Sequence, residues 1–342
     1  MQKLEWNEIF RFGIYKWGKS WKLKGESVVN DCNRSLPDSL LKDSEWQLIW
    51  LVFLILFRAK RGTFLFCPHW PLIKNKYFET LNSIKPQLEK LAKENWADFL
   101  RLNSISQNTK ENKNSYKEIW FIDAPMHLHA EDTHLMDLTL SEEELLANLR
   151  KTTRYVVNRA KKEWVEIKVD NSNEALKKLV EMHFAHAKRS NWKNTYWAFS
   201  PTYIKNLVKV FWENCTVIRA DFNGHTEAIL MTIRFWETCV YYIWASEIRN
   251  PKFSPAYLLQ WSAILKAKEE GCKIYNFWGV SPDSNPKHPI QGVSLFKRWF
   301  WGFDYSLLHA QDLVFNPLKY SFTYLIESFR RIKRGYYYKK PE

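Results

Sequence analysis

In the run "GVSLFKRWFWG" (Gly292 to Gly302) a single Phe-Lys pair, Phe296 and Lys297, lies among Trp299, Phe300 and Trp301. Aromatic residues at this density pack, and a cation among packed aromatics is paired, stacked or used. Lys297 therefore has two readings. Its stem can lie on the rings with the ammonium in water, or its charge can serve catalysis as a partner for a developing oxyanion. A second chemical stretch is "HLHAEDTH" (His127 to His134), where His127, His129, Asp132 and His134 are all possible metal ligands. Their spacing fits neither His-Glu-x-x-His nor His-x-His-x-Asp-His, and the segment runs straight into strand-like "LMDLTL", so no metal site is expected. A third is the basic run Arg150, Lys151, Arg154, Arg159, Lys161 and Lys162. It is either a solvated face complementing a helix dipole or a rail for phosphates.

The elements that must position these residues follow from the hydrophobic period. "LSEEELLANLRKTTRYVVNRAKKEW" reads as one helix, with Ser141 and Glu144 as a capping box and Leu145, Leu149, Val156 and Ala160 at helical spacing. A helix over 173–189 and another through "PTYIKNLVKVFWEN" come next. Then the period changes to that of strands, and "TVIRADFNGHTEAILMTIRFWETCVYYIWASEI" reads as a three-stranded meander whose first turn is Asn223-Gly224. Ser254-Pro255 opens a helix that stops at Gly271, and "CKIYNFWGV" is a buried strand. In the first third, "FLFCPHWPLI" predicts a strand, 77–93 a helix, and "ADFLRLNSI" another strand. The C-terminal "YSFTYLIESFRRIKRGYYYKK" predicts an amphipathic helix whose apolar half closes a domain and whose basic end is available to anionic lipid.

The 342 residues allow about two domains, and 46% apolar with 26% charged residues is the balance of a folded chain. Eighteen tryptophans are compatible with clefts that stack sugars, bases or peptides. A formal charge of +14 points to a polyanionic partner: nucleic acid, a phosphate-bearing substrate or a membrane surface. Five scattered cysteines without Cys-x-x-Cys suggest a reducing compartment. "WQLIWLVFLILF" is too short to span a bilayer, and "MQKLEWNEIFRFG" is no signal peptide, so a cytoplasmic protein is expected. Ten glycines and no Gly-x-x-x-x-Gly-Lys-[Ser/Thr] leave a P-loop or Rossmann turn unsupported.

The chain resembles the FemABX family of peptidoglycan bridge-forming aminoacyltransferases. The resemblance runs through "YKWGKSWKLKG", "RGTFLFCPHWPLI", "ADFLRLNS", the segment from "AEDTHLMDLTL" to "KKEWVEI", and most specifically "YNFWGV" with "GVSLFKRWFWG". It implies an α+β protein of two GNAT-like domains, residues 1–140 plus 312–342 on the precursor side and 141–311 on the donor side, with no coiled-coil arm. It also implies transfer of an amino acid from aminoacyl-tRNA to the stem peptide of a lipid-linked or UDP-linked muropeptide. No cofactor is implied beyond aminoacyl-tRNA as co-substrate. A monomer at the inner face of the cell membrane is expected.

Carried over residue by residue, Lys297 beside Phe296 is the catalytic pair, and Lys22 meets precursor phosphates. Arg189 and Tyr242 stand where the family places substrate-binding residues. Lys161 and Lys162 are the candidate tRNA contacts, and Arg154 matches a family motif or only orders its helix. The sequence departs from the pattern at Asn103-Ser104 (an acidic residue and proline in the family), at His69-Trp70 (a glycine before the proline) and at Asn276 (an aspartate). Asn103 remains a candidate for the substrate side. Alternatives from the residues are an acyltransferase of the same fold using acyl-CoA, which the absent glycine turn disfavours, and a nonenzymatic nucleic-acid or membrane-surface binder.

Overall fold

The computed structural model describes residues 50–59, 62–69, 71–73, 76–189, 201–247, 253–282, 288 and 290–334. In chain order they form β1 (Trp50–Leu51), β2 (Ile55–Ala59), β3 (Gly62–Pro68), β4 (Leu72–Ile73), α1 (Tyr77–Ser83), α2 (Lys85–Glu94), β5 (Phe99–Asn103), α3 (Lys110–Glu118), β6 (Ile122–Asp123) and β7 (Asp132–Asp137). There follow α4 (Glu142–Asn148), α5 (Lys151–Lys162), β8 (Glu166–Val169), α6 (Asn173–Arg189), α7 (Pro201–Phe211), β9 (Cys215–Phe222), β10 (His225–Phe235) and β11 (Thr238–Ser246). The last elements are α8 (Pro255–Glu269), β12 (Ile274–Gly279), α9 (Gln291–Arg298), β13 (Phe303–Ser306), β14 (Gln311–Val314) and α10 (Pro317–Arg334). Two compact units result. One is Thr133–Trp278 with Val293–Asp304, and the other holds the described residues up to Asp132, Gly279–Gly292, and those from Tyr305 onward.

The first of these is built on a seven-stranded sheet in the order β13-β7-β12-β11-β10-β9-β8. Alternation along β10 sends Ala228 and Leu230 to one face, against Val157 of α5 and Trp261 and Ile264 of α8. Ile229, Met231 and Ile233 go to the other face, against Leu179 of α6 and Ile204 and Leu207 of α7. Both faces are covered by helices, which is why the β10 burial is nearly continuous. The meander forms as expected, with Asn223 and Gly224 both at positive φ in the β9–β10 turn.

The expected single helix from Leu140 is two helices. The Ser141–Glu144 capping box forms, with reciprocal bonds of 3.2 and 2.8 Å, but Leu149 and Arg150 leave helical geometry with ψ near 145° and 135°. The break buries Leu149 and lets the Arg150 amide donate to the Trp299 carbonyl. Arg154 then donates to the Ala147 carbonyl at 2.7 Å, which satisfies the end of α4. The predicted helix over 77–93 is likewise divided at Ile84, since Pro86 can stand only in the first turn of a new helix.

The other unit carries a five-stranded sheet, β2-β3-β5-β14-β6, in which β3 and β5 are parallel and end together at Pro68 and Asn103. Arg101 on β5 is fully buried. It forms a bidentate pair with Asp312 of β14 (2.9 and 2.8 Å) and an ion pair with Glu327 of α10 (2.8 Å), and Tyr320 donates to the same Asp312 at 2.9 Å. Polar anchoring and Tyr320 thus seat α10. The expected closure by its apolar half is not what the helix does. Leu318, Phe322, Leu325, Phe329 and Ile332 recur at four- and three-residue intervals and are exposed by 61–87%, because the anchoring face is the one carrying Tyr320, Thr323 and Glu327. Trp96, Trp120, Trp164, Trp212 and Trp236 are exposed to solvent.

Candidate active site

In the seven-stranded sheet, β11 and β12 are parallel and pair at Thr238–Ile274, Cys239–Tyr275 and Val240–Asn276. Pairing stops there, although β11 runs on to Ser246 and β12 to Gly279. At the same level the β10–β11 register shifts: Met231 faces Ile243 and Thr232 faces Tyr241, so Tyr242 is the bulged residue between them. A bulge re-aims one side chain without ending the strand. The Tyr242 hydroxyl is 2.6 Å from that of Tyr203, and its ring stands perpendicular to Trp278 with centroids 5.8 Å apart. Burial, with the Tyr203 hydroxyl beside it, pushes the Tyr242 phenol well up, so it stays a neutral hydrogen-bonding group. Asn276, on β12, accepts from the Thr133 hydroxyl (2.6 Å) and the Trp278 amide (2.8 Å), fixing the end of its strand. Arg189, at the end of α6, donates to the carbonyl of Ser246 at the end of β11.

The chain leaves β12 and returns as α9, which carries Phe296 and Lys297. Lys297 is 5% exposed, so the reading in which its ammonium simply reaches water does not hold. Burial lowers its pKa to about 7, and the adjacent Arg298 adds to the effect. Arg298 is itself held by Asp304, at 2.9 and 2.7 Å. Phe296 packs edge-on against Tyr257 and Phe300, with centroids 5.0 and 5.2 Å away. Gly302 ends the block at φ 132°, where a Cβ would lie 2.1 Å from the Leu135 carbonyl oxygen. Only glycine lets the chain turn there against β7.

Phe296, Lys297, Tyr242 and Arg189 thus belong to one unit, with Tyr242 and Arg189 on or beside β11 beyond its pairing with β12. Lys161 and Lys162 are exposed on α5 of the same unit. Asn103 belongs to the other unit. It is 1% exposed at the end of β5, and neither atom of its amide has a hydrogen-bond partner. Such an amide keeps hydrogen-bonding capacity that solvent or a ligand can take up. Lys22 lies outside the described residues. Tyr203 and Trp278 were not legible as site residues. Tyr203 is paired with Tyr242 across 39 positions of chain, and Trp278 gives no signal beyond its place in "YNFWGV".

The "HLHAEDTH" histidines do not act together. His134 is 2.7 Å from Asp304 through Nδ1, while His129 stacks on Phe66 at 5.3 Å and burial lowers its pKa to about 3. His127 turns to Glu131 at 3.3 Å.

A consequence of the Lys297 burial is testable by thermal melts. A lysine whose folded pKa is depressed binds fewer protons folded than unfolded between about pH 7 and its ordinary value near 10.4, so it opposes folding fully below pH 7 and progressively less above it. Lys297→Met should melt at a higher temperature than the parent at pH 6, with the gap closing toward pH 10. A gap that does not narrow as pH rises would mean that the charge carries no folding penalty.

Residues 225–328, from the start of β10 into α10, match the model of the FemAB family. Aminoacyltransferase FemA of Staphylococcus epidermidis is 27% identical over 95 residues, which is 28% of this chain and 22% of the length of that curated relative. Among solved structures, the crystal structure of FemX superposes with a TM-score of 0.70 at 14% identity, over 83% of this chain and 89% of that one. A tandem GNAT protein from the clavulanic acid biosynthesis pathway superposes at 0.50 and 8% identity, over 80% and 81%. At such identities the structures establish the fold, an α+β fold of the GNAT type, with no coiled-coil arm among the described residues. The family match covers Tyr242, Asn276 and the Phe296–Lys297 pair on elements arranged in that fold, and over this segment the chain is similar to the FemAB family.

Proposed function

We propose that this chain is an aminoacyltransferase that moves an amino acid from aminoacyl-tRNA to an amine on the stem peptide of a peptidoglycan precursor. The observation that carries the reading is Lys297: a cation held in an apolar interior, on the element after β12, inside the segment that matches the FemAB family. The donor is an ester and is already activated, so no ATP is needed. The acceptor nitrogen forms a C–N bond to the ester carbonyl and loses a proton. The tetrahedral intermediate places negative charge on the former carbonyl oxygen and then expels the ribose oxygen, which takes up a proton. A buried ammonium is strongest where that charge develops, because little solvent competes with it. Tyr242 and Arg189 lie on the side of β11 where pairing has ended and serve to orient the precursor. Asn103, a candidate precursor contact, has an amide that offers both a donor and an acceptor.

Two surfaces support the partners of this reaction. The late turns of α5 expose Lys161 and Lys162 on a chain of charge +14, which suits the phosphates of tRNA. The apolar stripe of α10, flanked by Arg330, Arg331 and Lys333, suits the inner surface of a membrane that holds a lipid-linked precursor. No helix among the described residues is long and apolar enough to cross a membrane; the proposed contact is a peripheral one through α10. The chain is placed in the cytoplasm on this reading and acts as a monomer.

The chemistry is tested by single-turnover transfer from charged tRNA, with acyl-CoA as the control donor. Lys297→Met, folded, should lose about 100- to 1000-fold in rate with little change in precursor binding. Lys297→Arg should recover only part of it, since a planar fork does not replace a compact ammonium. Near-normal transfer by the Met variant, or preference for acyl-CoA, rejects the mechanism.

For the donor surface, filter-binding of tRNA at stepped salt concentrations should show affinity falling steeply as salt rises. Joint reversal of Lys161 and Lys162 to Glu should flatten that slope. A control pair reversed on α2, Lys90 and Lys93, should not.

For the membrane, cosedimentation with vesicles of anionic lipid should drop several-fold when Leu325 and Phe329 become Ser, while neutral vesicles bind weakly throughout. Equal cosedimentation of parent and variant would remove the membrane from the proposal.

A further inference from the structure

The unit that contains β14 holds a cluster that the proposed transfer does not use. His127, Glu131 and His309 present ligand atoms that all lie within 4.8 Å of one another. Glu131 and His309 are 6% and 3% exposed, whereas His127 is partly open to solvent. The Glu131 oxygen Oε2 is 2.9 Å from Nδ1 of His309 and 3.3 Å from Nδ1 of His127. Its other oxygen, Oε1, accepts from the Ala310 amide at 2.8 Å. The far nitrogen of His309, Nε2, is 2.8 Å from the Ala124 carbonyl. A carbonyl only accepts, so Nε2 carries a proton. In a neutral ring the Nδ1 lone pair then points at a carboxylate oxygen, and something positive must lie between them.

We propose that His127, Glu131 and His309 bind a first-row divalent metal ion of the zinc type, through the two Nδ1 atoms and Glu131 Oε2, with a fourth position left for water. Two histidines and a glutamate are a recognised zinc donor set. The backbone carbonyl behind His309 and the amide behind Glu131 are the outer contacts that orient such ligands. The partly exposed side at His127 is the route of entry. The ion would clip 124–131, a segment with little regular structure, to the residues that lead into β14. "HLHAEDTH" supplies two of the three ligands, although only one of its histidines takes part.

The test uses the tag-free full chain after dialysis against chelator. Titration with Zn2+ should show one tight equivalent and a rise in melting temperature, and Co2+ should give the visible bands of a low-coordinate site. His127→Gln, on the open side where folding is least at risk, should weaken zinc by about 100-fold or more, as should Glu131→Gln. His225→Ala, an exposed histidine at the start of β10, should leave binding unchanged. No tight equivalent, or one that survives His127→Gln, overturns the proposal and leaves a cluster neutralised by protons alone.

A different observation carries a second inference. Among the described residues eleven non-glycine positions have positive φ, and seven of these are tryptophan: 96, 120, 164, 212, 236, 278 and 301. A bulky side chain is an outlier there. Three of them repeat one hydrogen-bond pattern. After α8, Gly271 donates to Lys268 and Cys272 donates to Ala267, the helix ending that glycine permits. Trp96 donates to Lys93 with Ala97 to Ala92, Trp120 to Lys117 with Phe121 to Tyr116, and Trp164 to Lys161 with Val165 to Ala160. Trp236 takes the first central position of the two-residue β10–β11 turn, another glycine place. All four side chains are exposed, by 56–86%. The chain has 18 Trp but only 10 Gly, where a chain of this length has roughly 24 glycines.

We infer that positions 96, 120, 164 and 236 are glycine in the protein as its own cell makes it, the codon being UGA, which different genetic codes read as tryptophan or as glycine. Position 278 follows the same rule and bears on the site, because a glycine there would remove the ring that faces Tyr242. Trp261, wholly buried in the core, is a true tryptophan and the internal control. Peptide mass spectrometry of the native protein should find glycine at the four positions and tryptophan at 261. In recombinant protein carrying tryptophan, the joint change of the four to Gly should raise the melting temperature by several degrees, because left-handed backbone no longer opposes a Cβ. Tryptophan at the four positions in the native protein, or no gain in melting temperature, overturns the inference.

Discussion

Two parallel strands that begin in register and then part determine the geometry of the first unit. β11 and β12 share three pairs of residues, and beyond Val240 and Asn276 each must find other company. The bulge at Tyr242 bends β11 as pairing ends, and the Asn276 side chain ties the end of β12 to Thr133. Backbone groups freed from a ladder inside a folded unit have to be satisfied by side chains, solvent or ligand. At the end of β11 the Ser246 carbonyl finds its donor in Arg189. Helix α9 is the next element after β12, and its Lys297 is buried, as is Phe300 three residues on.

In the proposed mechanism Lys297 sets function against stability. Burial makes its charge costly to hold, which a pKa of about 7 expresses, and on that proposal the same burial makes the charge effective on an oxyanion. The second unit solves a similar problem differently. Arg101 is as deeply buried, yet two carboxylates compensate it, and the result is an anchor for β14 and α10. A cation compensated in this way holds elements together.

Seating α10 through Arg101, Tyr320 and Thr323 has a further effect, because it turns the helix so that its apolar stripe faces outward. The stripe is regular enough to be read from sequence. Its direction is not, since periodicity identifies an apolar face without naming what covers it.

Much of the fold was legible in local chemistry. The capping box at Ser141, the Asn223-Gly224 turn, the Ser254-Pro255 start and the alternation in β10 are short-range signals, and each gave its element. The Phe296–Lys297 block was legible for the same reason, as a compact motif with its closing glycine. Signals failed where a neighbour far along the chain decided the matter. The break at Leu149 depends on Trp299, and the outward face of α10 on Arg101. The Tyr203–Tyr242 pair and the meeting of His127, Glu131 and His309 each join residues that no spacing rule connects. Sequence by itself determined which segments are helix and strand and which lysine could act. Only tertiary structure decided which side chains are enclosed, because burial and partnership depend on chain separated by tens or hundreds of residues.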